Sequence, residues 1–187
     1  MPLAANQGVC GRCVLSPSPL DACHTAVSYE FPWSELVTQF KFRGQAGWAR
    51  AFATLMRSAP WIEPALDKAE LIIPMPLSPQ RLAERGFNQA FELAKQLDAR
   101  KATASLLLRL RETHAQASLN LQGRVANVKN AFAVDPLRVN EVKGKRIVLI
   151  DDVMTSGASM HAAASALRQA GASSITGLVF ARTDEPN

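Results

Sequence analysis

The sequence predicts an α/β fold in which helices flank a mostly parallel sheet. Two apolar segments, Ile147 to Ile150 and Ser174 to Phe180, have the length and composition of buried strands. The segment between them predicts a helix from Met160 to about Ala170, with Ser159 as its N-cap and Gly171 as its stop. Two strands joined by a helix form a βαβ unit, and this connection is typical of parallel strands.

Further strands and helices are expected before this unit. Thr25 to Glu30 alternates weakly as a strand, and Leu71 to Ile73 begins a strand that Pro74 and Pro76 must end or confine to a sheet edge. The expected helices are one capped by Ser34 and carrying Leu36, Val37 and Phe40, one over Trp48 to Met56, and one with Ala90, Leu93, Ala94 and Leu97 on one face. The N-terminal aromatic side chains are expected in the core.

Two adjacent carboxylates, Asp151 and Asp152, directly follow the apolar run Ile147 to Ile150. Open α/β sheets bind their ligands at the carboxyl ends of their strands. The next segment, Thr155 to Ser159, has three hydroxyls, one Gly and no large side chain, so its backbone N–H groups can close around an anion. Acids beside such a segment indicate a sugar-phosphate site. The alternative is an ordinary strand-to-helix turn, because Asp pairs also end strands in phosphatase-like and receiver-like folds.

The segment Ile147 to Ser159 resembles the phosphoribosyl-pyrophosphate (PRPP) signature of type I phosphoribosyltransferases. This resemblance implies their fold, with a small N-terminal hood, and it implies that Asp151 and Asp152 hold the ribose hydroxyls. Some purine transferases carry a further Asp four residues after the first acid, where this chain has Thr155, so the motif offers no obvious general base. The residues implied to cradle the 5′-phosphate are Thr155, Ser156, Gly157, Ala158 and Ser159.

The polar segment Ser78 to Asn88 contains Arg85 and Gly86, which resemble the transferase loop that meets the pyrophosphate group. The Gly permits close backbone approach and the Arg supplies positive charge. Without the resemblance, the segment reads equally well as a basic loop before an amphipathic helix.

The segment Arg109 to Phe132 is polar, and it lies where the superfamily places a flexible loop that closes over PRPP. Arg111 in this segment is implied to stabilise the leaving pyrophosphate together with Arg85. The alternative is a solvated surface loop or helix.

Several segments together resemble, in order and spacing, the ComF family, which includes ComFC and GntX-like proteins. The resemblance runs from Cys10 to Thr183 and implies a PRPP-binding protein that uses Mg²⁺ and is linked to DNA uptake in bacterial competence. The alternative is a non-catalytic PRPP-sensing or single-stranded-DNA-handling accessory protein, whose partners would include competence proteins. The segments are Lys41 to Gly44, Pro74 to Leu77, Arg85 to Gln89, Arg111 to Gln116, Arg124 to Phe132 and the acid-pair motif, and the first adds Lys41 to the site candidates.

The N-terminal cysteines depart from the family pattern, in which two Cys pairs often form a zinc ribbon. Cys10 and Cys13 form one pair, and Cys23 and His24 follow. A structural Zn²⁺ needs four ligands, and adjacent residues rarely both reach one ion, so the ligand set is incomplete. A shortened chain, ligands from a second copy and a remnant of the ribbon all remain open. We expect a partial zinc-ribbon-like segment over residues 1–24 and a phosphoribosyltransferase domain over residues 25–187.

Length, composition and charge favour a globular protein over a membrane-spanning one. The chain of 187 residues is 48% apolar, which is enough for one sizeable α/β core. Its net charge of +5 suits a polyanionic ligand such as PRPP or nucleic acid, but also fits an ordinary soluble surface. No apolar run is long enough for a membrane helix and the first twenty residues lack a signal-peptide core, so a cytoplasmic protein is expected, with the oligomeric state open.

Overall fold

A computed structural model describes residues 18–42, 47–110 and 131–183. The Cys10 and Cys13 pair lies outside these ranges, as do Arg111, Arg124 and most of the segment expected to close over the ligand. In chain order the elements are β1 (Ala22–Ser28), α1 (Trp33–Phe42), α2 (Trp48–Arg57), α3 (Ile62–Lys68), β2 (Leu71–Pro74), α4 (Pro79–Arg85), α5 (Gln89–Asp98), β3 (Leu107–Arg109), β4 (Phe132–Val134), a short 3₁₀ helix (Val139–Glu141), β5 (Arg146–Met154), α6 (Ala158–Gln169) and β6 (Ser174–Arg182).

Four parallel strands form the main sheet, in the order β1-β6-β5-β2. β5 pairs with β6 on one side and with β2 on the other, and β2 is the outermost strand, joined on its other side only by a bridge between Ile72 and Ala102 among the described residues. β2 ends at Pro74, which is one of the two alternatives that the prolines allowed. β3 and β4 form a separate antiparallel pair. The prediction of an α/β fold with a mostly parallel sheet is therefore confirmed.

Apolar side chains of β5 enter the core on both faces of the sheet. Ile147 and Leu149 pack in the cluster that includes Leu167 of α6. Val148 and Ile150 pack in the opposite cluster with side chains from α1, α2, α3 and α5. All four β5 residues are at most 2% exposed, so the strand is a rigid base for the residues that follow.

The predicted βαβ unit is present, but β5 ends later, α6 begins earlier and β6 ends later than predicted. β5 continues to Met154 because β6 runs beside it as far as Arg182, so the acid pair lies within the strand. α6 begins at Ala158 and not at Met160, which places Ser159 inside the helix rather than at its N-cap. Gly157 occupies the N-cap position with a φ of 74° and no capping side chain.

The polar segment from Ser78 is mostly helical rather than a loop. Ser78 accepts a hydrogen bond from the backbone N–H of Arg81 at 3.3 Å and so caps α4, and Pro79 occupies its first turn. Gly86 ends the helix with a φ of 77°. α4 has no buried residue, which explains why its sequence shows no apolar periodicity that would predict a helix.

Two N-terminal boundaries also differ from the prediction. α1 begins at Trp33, so Ser34 lies in its first turn and is not its cap. β1 begins at Ala22, which brings Cys23 and His24 into the sheet. Among the described residues, no helix has the length and apolar character needed to cross a bilayer.

Candidate functional site

A cavity of about 360 Å³ lies where β2 and β5 end. Its wall brings together the acid pair, the hydroxyl-bearing segment and several basic side chains. The residues that line it are Lys41, Met75, Pro76, Leu77, Arg81, Arg85, Asn88, Gln89, Ala90, Arg109, Asp151, Asp152, Val153, Met154, Thr155, Ser156, Gly157, Ala158, Ser159 and Met160.

The acid pair is held by its own backbone and by Lys41. The N–H of Asp152 donates to Oδ1 of Asp151, and the N–H of Val153 donates to Oδ1 of Asp152, both at 2.9 Å. Lys41 Nζ lies 3.0 Å from Oδ2 of Asp152, so α1 supplies a positive charge in direct contact with this carboxylate. Burial and the adjacent charge of Asp152 raise the pKa of the Asp151 carboxyl well above its ordinary value, and Lys41 opposes this shift.

The segment Thr155 to Ser159 lines the cavity at the N-terminus of α6. Gly157 is buried and has the positive φ that turns the chain from strand to helix, while Ser156 and Ser159 are half-buried. The first backbone N–H groups of a helix have no partner within it, and the helix dipole makes this end positive. An anion is therefore the group that this part of the cavity can accommodate.

Basic side chains from three elements line the cavity together with the acid pair. Lys41 comes from α1, Arg81 and Arg85 from α4, and Arg109 from β3. Burial lowers the pKa of Arg85, and the charges of the two acids oppose this shift.

Arg85 is also positioned by two contacts. Its Nη1 donates to Oε1 of Gln89 at 3.0 Å, and its guanidinium carbon lies 5.2 Å from the ring centroid of Phe42. The hydrogen bond and the ring together fix the direction of the guanidinium.

Most of the predicted site residues come together in this cavity. Asp151, Asp152, Lys41, Arg85 and the five residues from Thr155 to Ser159 all line it. Gly86 does not, because it forms the exposed end of α4. Arg111, predicted to act beside Arg85, lies outside the described residues.

The predicted zinc site lies mainly outside the described residues, because Cys10 and Cys13 precede residue 18. Cys23 and His24 are neighbours in β1, and successive strand side chains point to opposite faces of a sheet. They cannot converge on one ion from these positions. Within residues 18–42, 47–110 and 131–183, no three His, Cys, Asp or Glu side chains form a group that could hold a metal.

Four polar wall residues were not among the predicted site residues: Arg81, Asn88, Gln89 and Arg109. Arg81 lies four residues before Arg85, so the two share one side of α4, but this spacing has meaning only once the helix is known. Gln89 lies in the segment that resembles the ComF family, but no pattern in the sequence predicts that it is buried. Arg109 lies in β3 and lines the cavity, but its place there depends on how β3 packs in the fold, which the sequence does not show.

The chain is similar in sequence to proteins of one family. The family described as phosphoribosyl transferase domain matches residues 82–186. Competence protein F of Haemophilus influenzae is 33% identical over 89% of this chain and 75% of its own length. DNA utilization protein YhgH of Salmonella typhimurium is 31% identical over 98% of this chain and 82% of its own, and competence protein ComFC of Bacillus subtilis is 32% identical over 83% and 62%. The chain therefore belongs to the ComF family and carries its phosphoribosyltransferase domain.

Proposed function

We propose that the cavity binds PRPP with Mg²⁺ and that the protein transfers the phosphoribosyl group to an acceptor. One observation carries the proposal: the acid pair, the segment Thr155 to Ser159 and the arginines of α4 line the same cavity. PRPP has hydroxyls, a terminal phosphate and a pyrophosphate group, and each has a complementary surface in this wall.

The ribose and the 5′-phosphate would bind at the β5 end of the cavity. The carboxylates of Asp151 and Asp152 would accept hydrogen bonds from the ribose hydroxyls. The 5′-phosphate would lie in the segment Thr155 to Ser159, against the positive end of α6.

The pyrophosphate group would lie on the α4 side of the cavity, where Arg81 and Arg85 line the wall. When pyrophosphate leaves, positive charge develops on the sugar and negative charge on the leaving group. The two acids would stabilise the first and the arginines the second. The sequence resemblance adds Arg111 to the group that stabilises the leaving charge.

The described acids suit Mg²⁺ that arrives with its substrate. Mg²⁺ is usually held by one or two carboxylates together with substrate phosphates, rather than by a complete protein cage. Asp151 and Asp152 supply oxygen ligands, and the described residues form no group of three or more metal-binding side chains. When bound, the ion would neutralise part of the pyrophosphate charge.

A non-catalytic PRPP sensor is the second candidate. Thr155 stands where some purine transferases have a base, and the described cavity wall contains no carboxylate or imidazole besides the acid pair. Release of pyrophosphate from PRPP, measured with a panel of bases and with DNA, separates the two. Turnover with any acceptor supports the transferase, whereas binding without turnover across the panel supports the sensor.

We place this activity in the cytoplasm and link it to DNA uptake. Two relatives are named competence proteins and one a DNA utilization protein, and the net charge of +5 suits contact with single-stranded DNA. Fractionation of cells that carry a tagged copy tests the location, and the transformation frequency of a deletion strain tests the link.

The binding proposal is tested by removing both negative charges of the acid pair. Asp151→Asn with Asp152→Asn should weaken the binding of PRPP and Mg²⁺ at least about tenfold, a loss of ~1.4 kcal/mol. Isothermal titration calorimetry measures this, with Asp67→Asn, an exposed carboxylate on α3, as the control. Equal affinities in the double variant and the parent would overturn the proposal.

A further inference from the structure

The side chain of Gln89 is a buried amide in the cavity wall, and its NH₂ group has no hydrogen-bond partner within the described structure. The residue is 2% exposed and is the first residue of α5. Its Oε1 accepts the hydrogen bond from Arg85 Nη1 at 3.0 Å. Its Nε2 is buried and has no hydrogen-bond partner within the described structure. Most buried polar groups are paired, so this donor calls for an explanation.

The chemistry of Arg85 determines which end of the amide is left unpaired. A guanidinium has donors only, so the single acceptor of the Gln89 side chain must face it. The amide nitrogen then points away from Arg85, and turning the amide over would place two donors against each other. Leaving the donor buried and unpaired costs free energy, which an acceptor atom on a ligand would recover.

The surroundings indicate an anionic acceptor. Arg81 and Lys41 line the same wall as Gln89, and the desolvated guanidinium of Arg85 is hydrogen-bonded to it. An amide donor beside a guanidinium forms a pair that fits the oxygens of a phosphoryl group. The segment Thr155 to Ser159 offers a separate place for the 5′-phosphate, which leaves the pyrophosphate group for the α4 side.

We propose that Gln89 is a pyrophosphate-recognition residue, which orients Arg85 through Oε1 and donates to a pyrophosphate oxygen through Nε2. The inference rests on the proposed function and makes it more specific. A ligand with a pyrophosphate group satisfies the buried donor, whereas ribose 5-phosphate does not. Gln89 therefore contributes to the choice of PRPP over ribose 5-phosphate.

Two substitutions remove the amide donor of Gln89, one with the acceptor kept and one without it. Gln89→Glu keeps an acceptor for Arg85 but removes the donor and adds negative charge. Gln89→Met removes both donor and acceptor at similar length. We expect both to weaken the binding of inorganic pyrophosphate with Mg²⁺ at least about tenfold and to change ribose 5-phosphate affinity by less than about twofold. Calorimetry on the full chain measures both ligands.

Gln80→Met is the matched control. Gln80 is exposed on α4, donates to Glu84 Oε1 at 2.9 Å and does not line the cavity. This variant should bind both ligands as the parent does. Retained ribose 5-phosphate affinity in the Gln89 variants shows that they are folded.

The outcomes separate this inference from the proposed function. Parent-like pyrophosphate affinity in Gln89→Glu or in Gln89→Met, or an equal loss of both ligands in both variants, overturns the role of Gln89 and leaves PRPP binding in place. A parent protein that binds ribose 5-phosphate but no pyrophosphate also overturns it. A parent that binds neither ligand overturns the proposed function as well.

Discussion

The ionised carboxyl of Asp151 destabilises the folded protein when no ligand is bound. Its carboxyl is desolvated and lies beside the charge of Asp152, so its pKa in the folded protein is well above the ordinary 3.8. The folded state therefore holds this proton at pH values where the unfolded chain has released it. The stability that the group contributes is present below its ordinary pKa and is lost as the pH rises through the raised pKa.

Asp151→Asn should accordingly raise the free energy of unfolding relative to the parent at neutral pH while it weakens PRPP binding. The gain should shrink as the pH is lowered toward the ordinary pKa, because the parent carboxyl is then protonated in the folded state. Urea denaturation at a series of pH values measures it. Asp67→Asn serves as the control. A stability difference that does not vary with pH would contradict the explanation.

At the residue scale, the sequence predicted that neighbouring residues of one motif share a site. It did not predict which side chains from distant segments contact them. Asp151, Asp152 and the segment Thr155 to Ser159 are neighbours in the sequence, so their common location in the cavity could be predicted from one motif. The contact of Lys41 with Asp152 and the buried state of Gln89 depend on where α1 and α5 pack. No local pattern carries that information.

The turn between β5 and α6 depends on Gly157. Its φ of 74° is strained for any residue with a Cβ, and a Cβ would lie 3.4 Å from Met154 Sδ. Gly157→Ala should lower the free energy of unfolding by about 1–2 kcal/mol. It should also weaken ribose 5-phosphate binding several-fold, because the backbone N–H groups of the anion cradle would shift.

Gly144→Ala is the control for this prediction. Gly144 has the same φ of 74°, no atom within 4 Å of its Cβ position, and no place in the cavity wall. Urea denaturation should show a similar loss of stability for both variants, and calorimetry a loss of affinity for Gly157→Ala alone. Parent-like affinity in Gly157→Ala would show that the turn geometry does not determine anion binding.

At the element scale, the accuracy of prediction followed the burial of each element. β5, β6 and α5 have apolar faces that the sequence displays, and all three were predicted, although β5 and β6 extend beyond their predicted ends. α4 buries no residue, so it was interpreted as a loop although Ser78 and Gly86 cap it well. The N-cap predicted at Ser159 was wrong because Gly157 turns the chain two residues earlier.

At the scale of the whole molecule, the βαβ unit determined the fold class but not the order of the sheet. The apolar run of β5 requires neighbours on both sides. That β2 is the other neighbour of β5, and that β1 pairs with the far side of β6, follows from packing between segments more than 70 residues apart. The same packing brings α4, α1 and β5 to one cavity, so the complete site is a property of the fold.

Charge is also a property of the whole molecule, and it predicts how single-stranded DNA should bind. The net charge is +5, and the segment from Arg109 to Phe132 has a single aromatic residue, so base stacking should add little. Binding should therefore be weak, nearly independent of sequence, and steeply weakened by salt in proportion to the phosphates contacted. Arg111→Ala with Arg124→Ala should weaken it.

Fluorescence anisotropy with a labelled oligonucleotide across a salt series tests this prediction. The control is Lys68→Ala with Lys143→Ala. This variant removes the same charge from two exposed lysines that precede the amino ends of β2 and β5, whereas the cavity lies where these strands end. A larger loss in the arginine variant would indicate that DNA binds through the segment that resembles the PRPP-closing loop, and excess pyrophosphate should then compete with DNA. Affinity that does not change with salt would indicate a stacking site instead, because counterion release could not then be the driving force. Absence of binding even at low salt would leave the small-molecule transferase as the better account of the basic surface.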